Sequence, residues 1–134
     1  MSERMIDHMS LNVADFEAML AFYEKALAPL NCKVMMRFGK DITGHAEVAG
    51  LGAEKPFFWL VGTEKTRPIQ HIAFRAESRA EVDAFYEAAM AAGGKDNGKP
   101  GIREMYHTNY YGAFVLDPEG HNIEAVCHKP ESEA

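Results

Sequence analysis

Two stretches decide the fold: DHMSLNVADFEAMLAFYE at residues 7–24 and QHIAFRAESRAEVDAFYE at residues 70–87. Laid over one another at a shift of 63 residues, they bring His8 onto His71 and repeat the tetrapeptide AFYE at Ala21 and Ala84. In the first stretch Met9, Leu11 and Val13 alternate with His8, Ser10 and Asn12, the two-residue period of a strand with one apolar face. His8 falls on the polar face. Asp15 is placed to cap the next segment, where Phe16, Met19, Leu20, Tyr23 and Leu27 recur at helical spacing until Pro29 and Asn31. The second stretch follows the same plan. Ile72 and Phe74 oppose His71, Ala73 and Arg75, Ser78 to Glu81 reads as a capping box, and Val82, Phe85, Tyr86, Ala89 and Met90 form a helical stripe that Gly93 and Gly94 close. The Phe and Tyr of AFYE are therefore core residues that bury a helix against a sheet.

Three segments of strand character follow each helix. In the first half they are CKVMMRF (32–38), GHAEVAG (44–50) and FFWLVG (57–62). In the second they are GIREMYH (101–107), YYGAFVL (110–116) and NIEAVCH (122–128), the last two joined by the turn DPEG. The order strand, helix, three strands occurs twice, which predicts an α+β chain of two βαβββ modules, about residues 5–63 and 68–128, with a tail over 129–134. Neither half can cover its own sheet, so the two must pack together or pair across a dimer.

The 134 residues suit a single domain, 1–134, and 47% hydrophobic with 25% charged residues is the balance of a globular protein rather than a disordered one. A net charge of −6 with no basic run excludes the electrostatic footprint of a nucleic-acid binder and leaves small molecules as the expected partners. No stretch approaches ~20 apolar residues and the start MSERMIDHMS lacks a secretory apolar segment, so no membrane association and a cytoplasmic location are expected. Cys32 and Cys127 have no CxxC spacing and read as reduced core thiols.

Two histidines at equivalent places on equivalent strands would be drawn together by a pseudo-twofold arrangement. The last strand supplies a third group, because Asn122, Glu124, Val126 and His128 alternate with Ile123, Ala125 and Cys127. If Ile123 and Cys127 face the core, Glu124 points into the space that His8 and His71 line. A carboxylate there is costly to desolvate unless a cation or hydrogen bonds compensate. His8, His71 and Glu124 together make the two-imidazole, one-carboxylate set that holds a divalent transition metal and leaves positions open. The segment REMYHTNYYG adds His107, Tyr110 and Tyr111 as candidate catalytic groups for proton transfer or oxyanion orientation. Arg75 shares the His71 face and is expected to form a salt bridge or to meet an anionic substrate. His45 is a further cup-lining candidate, His128 is expected at the surface, and His121 is expected to fix the DPEG turn.

The double module, the openings HMSLNV and HIAFRA and the ending GAFVLDPEGHNIEAV resemble the vicinal oxygen chelate superfamily of glyoxalases, bleomycin-resistance proteins, fosfomycin-resistance transferases and extradiol dioxygenases. The resemblance spans roughly residues 5–128. It implies a cupped mixed β-sheet around a metal bound by His8, His71 and Glu124. It implies a metal-dependent lyase or dioxygenase using Fe, Mn, Ni, Co or Zn and a small substrate chelated through vicinal oxygens; a homodimer is expected because pairing of edge strands is a natural way to complete or cover such sheets. The glyoxalase-type fourth carboxylate is missing, since FFWLVG puts Trp59 or an apolar neighbour in that slot. A metal-free binding protein of the bleomycin-resistance type, stacking its ligand on Phe57, Trp59, Tyr110 and Tyr111, and a partner-binding module without a site both remain open at this point.

Overall fold

A computed structural model describes residues 5–131; the tail expected over 129–134 lies outside the described residues from 132 onward. The first alternating stretch forms β1 (Met9–Val13) and its helical stripe α1 (Phe16–Leu27). The Asp15 side chain accepts from the Ala18 N–H at 3.1 Å, satisfying one of the donors a helix start leaves open. A single 3-10 turn carries the chain to Asn31, whose φ of 61° turns it into β2 (Lys33–Phe38). A one-turn helix α2 (Lys40–Thr43), β3 (Val48–Gly52) and β4 (Pro56–Gly62) complete the first module.

The second module is β5 (His71–Arg75), α3 (Arg79–Ala91), β6 (Lys95–Ile102), β7 (Tyr111–Leu116) and β8 (Asn122–Cys127). Half of its capping box is formed: Ser78 Oγ accepts from the Glu81 N–H at 3.1 Å, while the Glu81 carboxylate reaches one residue further back and accepts from the Glu77 N–H at 2.9 Å. The strand orders are β1-β4-β3-β2 and β5-β8-β7-β6, with β1 parallel to β4 and β5 parallel to β8. The repeat read at the level of sequence is thus a repeat of topology. The two sheets are separate ladders. They are joined by α1 packing on α3, and by Phe58 of β4 meeting Phe74 of β5 edge to face with ring centres 5.3 Å apart.

The DPEG turn ties the modules together a second time. The Glu119 carboxylate accepts from the Ala14 N–H at 2.9 Å and the Asp15 N–H at 2.8 Å, and the buried Tyr23 hydroxyl donates to Asp117. His121, fully buried, receives the Gln70 N–H on Nδ1 at 2.9 Å, which fixes the turn against the start of β5 as expected.

One strand sits elsewhere than the sequence predicts. The segment GIREMYH is a strand only at Gly101 and Ile102; the edge strand is KDNGKPGI, and residues 103–110 form a turn-rich loop. This outermost strand has no apolar alternation to advertise it, and it tolerates Pro100 because one side of its backbone needs no partner. Register shifts between Asp96 and Gly98 and between Gly98 and Gly101 further remove the two-residue period.

Candidate metal centre

Glu124 lies in the middle of β8, between Ala73 of β5 and Phe114 of β7 in the hydrogen-bonding register. Its neighbours Ile123 and Ala125 point into the core under α3, so alternation turns Glu124 to the other face of the sheet. The carboxylate is nonetheless 0% exposed. Three local features close around it. His71, the first residue of edge strand β5, sets Nε2 2.8 Å from Glu124 Oε1. The Tyr110 hydroxyl donates to Glu124 Oε2. Gly112 makes room for both: a Cβ there would stand 3.2 Å from Tyr110 Cε1 and 3.3 Å from Glu124 Oε2.

The chemistry of this donor set suits a divalent transition metal. A carboxylate removed from water needs a cation or several hydrogen bonds, and here it has one phenol and one imidazole. Donors bound at roughly 2.1 Å on adjacent corners of an octahedron stand about 3 Å apart, close to the separation of His71 Nε2 and Glu124 Oε1. Burial, reinforced by the hydrogen bond to Glu124, holds the Tyr110 phenol well above its ordinary range. Tyr110 therefore stays protonated at neutral pH and works as a hydrogen-bond donor rather than as a base.

The other sequence candidates are distributed differently. His8 does not reach the pair within one chain. It is exposed, with Nδ1 2.7 Å from Asp7 Oδ2, and among the described residues no three His, Cys, Asp or Glu side chains converge on one point. Tyr111 faces the opposite side of β7, where its hydroxyl donates to Asp83 of α3 at 2.6 Å; burial first, then that bond, push its phenol up to about 12. Being adjacent in sequence to Tyr110 places it on the wrong face for Glu124. Arg75 makes no ion pair among the described residues, contrary to the expected salt bridge; Glu77, two residues on, pairs with Lys129 instead. His45 is exposed and bonds only within its own turn, Nδ1 lying 3.3 Å from the Thr43 carbonyl. Trp59 pairs with Ser10 as Glu124 pairs with Ala73, so the first module has an indole, packed on Gly50, where the second has its carboxylate.

Sequence reading missed the partnership of His107 with His128, which the surface position of His128 concealed. The Asn109 N–H donates to His107 Nδ1 at 3.1 Å, so the His107 proton sits on Nε2 and is donated to His128 Nδ1 at 2.7 Å. The two rings stack with centres 4.9 Å apart, and each meets the Tyr110 ring edge to face. This pair holds the 103–110 loop, and with it Tyr110, against the end of β8. Burial, then repulsion from His107 and Arg75, lower the His128 pKa below the ordinary 6.5. A depressed histidine contributes stability that is present above the unfolded value and is lost as pH falls through the folded one. In a proton NMR titration the His128 midpoint is expected below 6.5 and should rise toward it in His107→Ala; a midpoint above 6.5 in the parent chain would contradict the pairing.

Comparison with known proteins agrees with this architecture. The sequence profile described as "Glyoxalase/Bleomycin resistance protein/Dioxygenase superfamily" matches residues 5–125. The chain belongs to that superfamily. Among solved structures it is similar to a glyoxalase/bleomycin resistance protein from Albidiferax ferrireducens, with 23% identity, a TM-score of 0.75, and coverage of 95% of this chain and 100% of the other. A glyoxylase/bleomycin resistance protein/dioxygenase domain from Frankia sp. gives 20% identity, a TM-score of 0.71 and coverage of 96% and 100%. A mutant of the fosfomycin resistance protein FosX from Listeria monocytogenes, complexed with Mn(II) and 1S,2S-dihydroxypropylphosphonic acid, gives 19% identity, a TM-score of 0.67 and coverage of 97% of each chain. No curated protein sequence matches the chain. Among the described residues no helix is long and apolar enough to cross a membrane.

Proposed function

We propose that this chain is a metal-dependent enzyme of the superfamily that acts on vicinal oxygens of a small organic substrate. His71 and Glu124 hold a divalent transition metal (Fe, Mn, Ni, Co or Zn) and the third ligand is His8 of the partner subunit in a homodimer. The observation that carries this reading is a wholly buried carboxylate 2.8 Å from an imidazole, with no third ligand beside them among the described residues. Met36, Phe38 and Phe57 leave apolar surface exposed on the first sheet, which a second copy would cover. The Mn(II) complex of FosX, which shares the fold, supports the choice of metal class.

When bound, such an ion acts as a Lewis acid on chelated oxygens and stabilises the oxyanion that forms as the substrate reacts. The remaining work falls to the chain. Tyr110 occupies Glu124 Oε2 and so leaves Oε1 turned toward His71. The His107–His128 pair keeps Tyr110 in that position, and the neutral phenol orients the carboxylate without competing as a base.

Mixing two inactive variants tests the shared site. His8→Ala and Glu124→Ala each spoil every site of their own homodimers, but a mixed dimer rebuilds one site from the intact His8 of one chain and the intact Glu124 of the other. Random reassociation should restore metal binding at roughly one quarter of the sites. A mixture that binds no more metal than its components would refute the shared arrangement. Trp59 at the place of the fourth carboxylate favours a second reading, a metal-free binding protein; stoichiometric metal in the parent chain and none in Glu124→Ala would exclude it.

A further inference from the structure

Beside the His71–Glu124 pair lies an open cleft of about 360 Å³, lined by Asn97, Arg103, Met105, Tyr106, Phe114 and Asn122. Two of these residues connect it directly to the centre. Phe114 is the β7 partner of Glu124, and Asn122 is the β8 partner of His71.

Arg103 is built into this cleft rather than left on the surface. Its guanidinium lies over the Phe114 ring, 5.4 Å from the ring centre, while the His71 ring stands 6.2 Å from the same centre. One N–H donates to the Lys99 carbonyl at 2.7 Å. Two glycines clear its place: a Cβ on Gly98 would come within 3.2 Å of one terminal nitrogen, and a Cβ on Gly101 within 3.0 Å of the other. The charge has no carboxylate partner among the described residues, although acidic groups outnumber basic ones 20 to 14 in the chain and both Arg37 and Arg79 have found one. A fixed, unpaired guanidinium with free N–H groups is the fork that planar oxyanions match. Asn97 donates to Asn122 Oδ1 at 3.1 Å, which leaves the Asn122 amide hydrogens available to the same anion.

We propose that this cleft takes the anionic end of the substrate, a carboxylate, phosphate or phosphonate oxyanion held by Arg103 and Asn122, so that the molecule's other oxygens reach the His71–Glu124 centre. The substrate class is then a small organic acid rather than a neutral diol or ketone. The Phe114 ring, flanked by Arg103 and His71, sets the spacing between anion and reacting oxygens. This inference rests on the proposed metal site for the reaction, but the anion contact itself needs no metal.

The test is a set of protein-observed NMR titrations of the intact chain, Zn(II)-loaded and metal-free, with lactate, hydroxymethylphosphonate and the neutral propane-1,2-diol. At least one anion should bind about tenfold more tightly than the diol and shift the amides of Asn97, Gly98, Arg103 and Asn122; which anion does so separates carboxylate from phosphonate recognition. Arg103→Gln should weaken that anion by about tenfold or more, Arg103→Lys by less, and Asn97→Asp, which adds a like charge, should weaken it as well. Anions that bind no tighter than the diol, or an affinity indifferent to Arg103→Gln, would overturn the proposal. Failure of the metal reading is distinguishable: no Zn(II) bound, with Arg103-dependent anion binding intact in the metal-free chain, upholds this inference and removes that one.

Discussion

Glu124→Gln is expected to abolish stoichiometric metal binding while leaving the metal-free fold within about 1 kcal/mol of the parent. The two halves of this expectation come from different properties of one side chain. The amide matches the carboxylate in shape, its oxygen can still accept from Tyr110, and its N–H can donate to His71 Nε2 when the imidazole carries its proton on Nδ1. Packing around Gly112 is preserved, and no buried group loses its partner. What disappears is the charge. Loss of even an outer-shell partner costs a metal site roughly 10–100-fold, and loss of the anionic ligand itself should cost at least on the order of 100-fold. Thermal denaturation with and without Zn(II) reads both at once. The parent should gain stability with added Zn(II), because an ion that binds only the folded state stabilises it, and the variant should gain none. Equal Zn(II)-dependent gains in both proteins would mean that the ion sits elsewhere.

The repeat made the His71–Glu124 pair legible in advance. Periodicity placed His71 and Glu124 on the polar faces of their strands, and the fold brings them to 2.8 Å because β5 and β8 are parallel neighbours in a ladder that the repeat order implies. The same reasoning failed for His8 within one chain, because β1 belongs to the other sheet and no ladder joins the two. Alternation was also the signal that should have separated Tyr110 from Tyr111: the strand begins at Tyr111, which falls on the face of Ala113 and Val115 toward α3, whereas Tyr110 is the last residue of a loop and is free to fold back over Gly112.

Other features had no sequence pattern to reveal them. Strand β6 is polar, rich in glycine and broken in register, so its existence depends on pairing with β7 rather than on its own residues. Arg103 and Phe114 are brought together by that pairing, and their contact could not be read from residues in a segment whose strand was placed too far along the chain. The DPEG turn was legible as a turn, but its role as an anchor for the first module depends on Glu119 meeting the start of α1, more than 100 positions away in sequence. Long-range contacts of this kind leave no local periodicity.

Phe58→Ala should be the most destabilising single truncation at the junction of the modules, at about 3–5 kcal/mol. Phe58 is 0% exposed and stands between the two repeats: its ring meets Tyr23 of α1 with centres 5.1 Å apart and Phe74 of β5 at 5.3 Å, both edge to face. Truncation removes the transfer energy of a buried phenyl and two aromatic contacts, and it leaves a cavity that two separately hydrogen-bonded sheets cannot readily collapse. For a domain whose total stability is about 5–15 kcal/mol, that loss should lower the melting temperature by roughly 10–20 °C. The neighbouring Phe57→Ala supplies the contrast. Phe57 lies on the other face of β4, is partly exposed, and reaches the junction only through a tilted contact with Phe74 at 6.3 Å, so its truncation should cost clearly less than that of Phe58. The transition should also remain single, because α1 against α3, Tyr23 on Asp117 and Glu119 on the start of α1 still couple the halves after Phe58 is gone. Two resolved transitions in Phe58→Ala would show instead that this one ring carries the cooperativity between the modules.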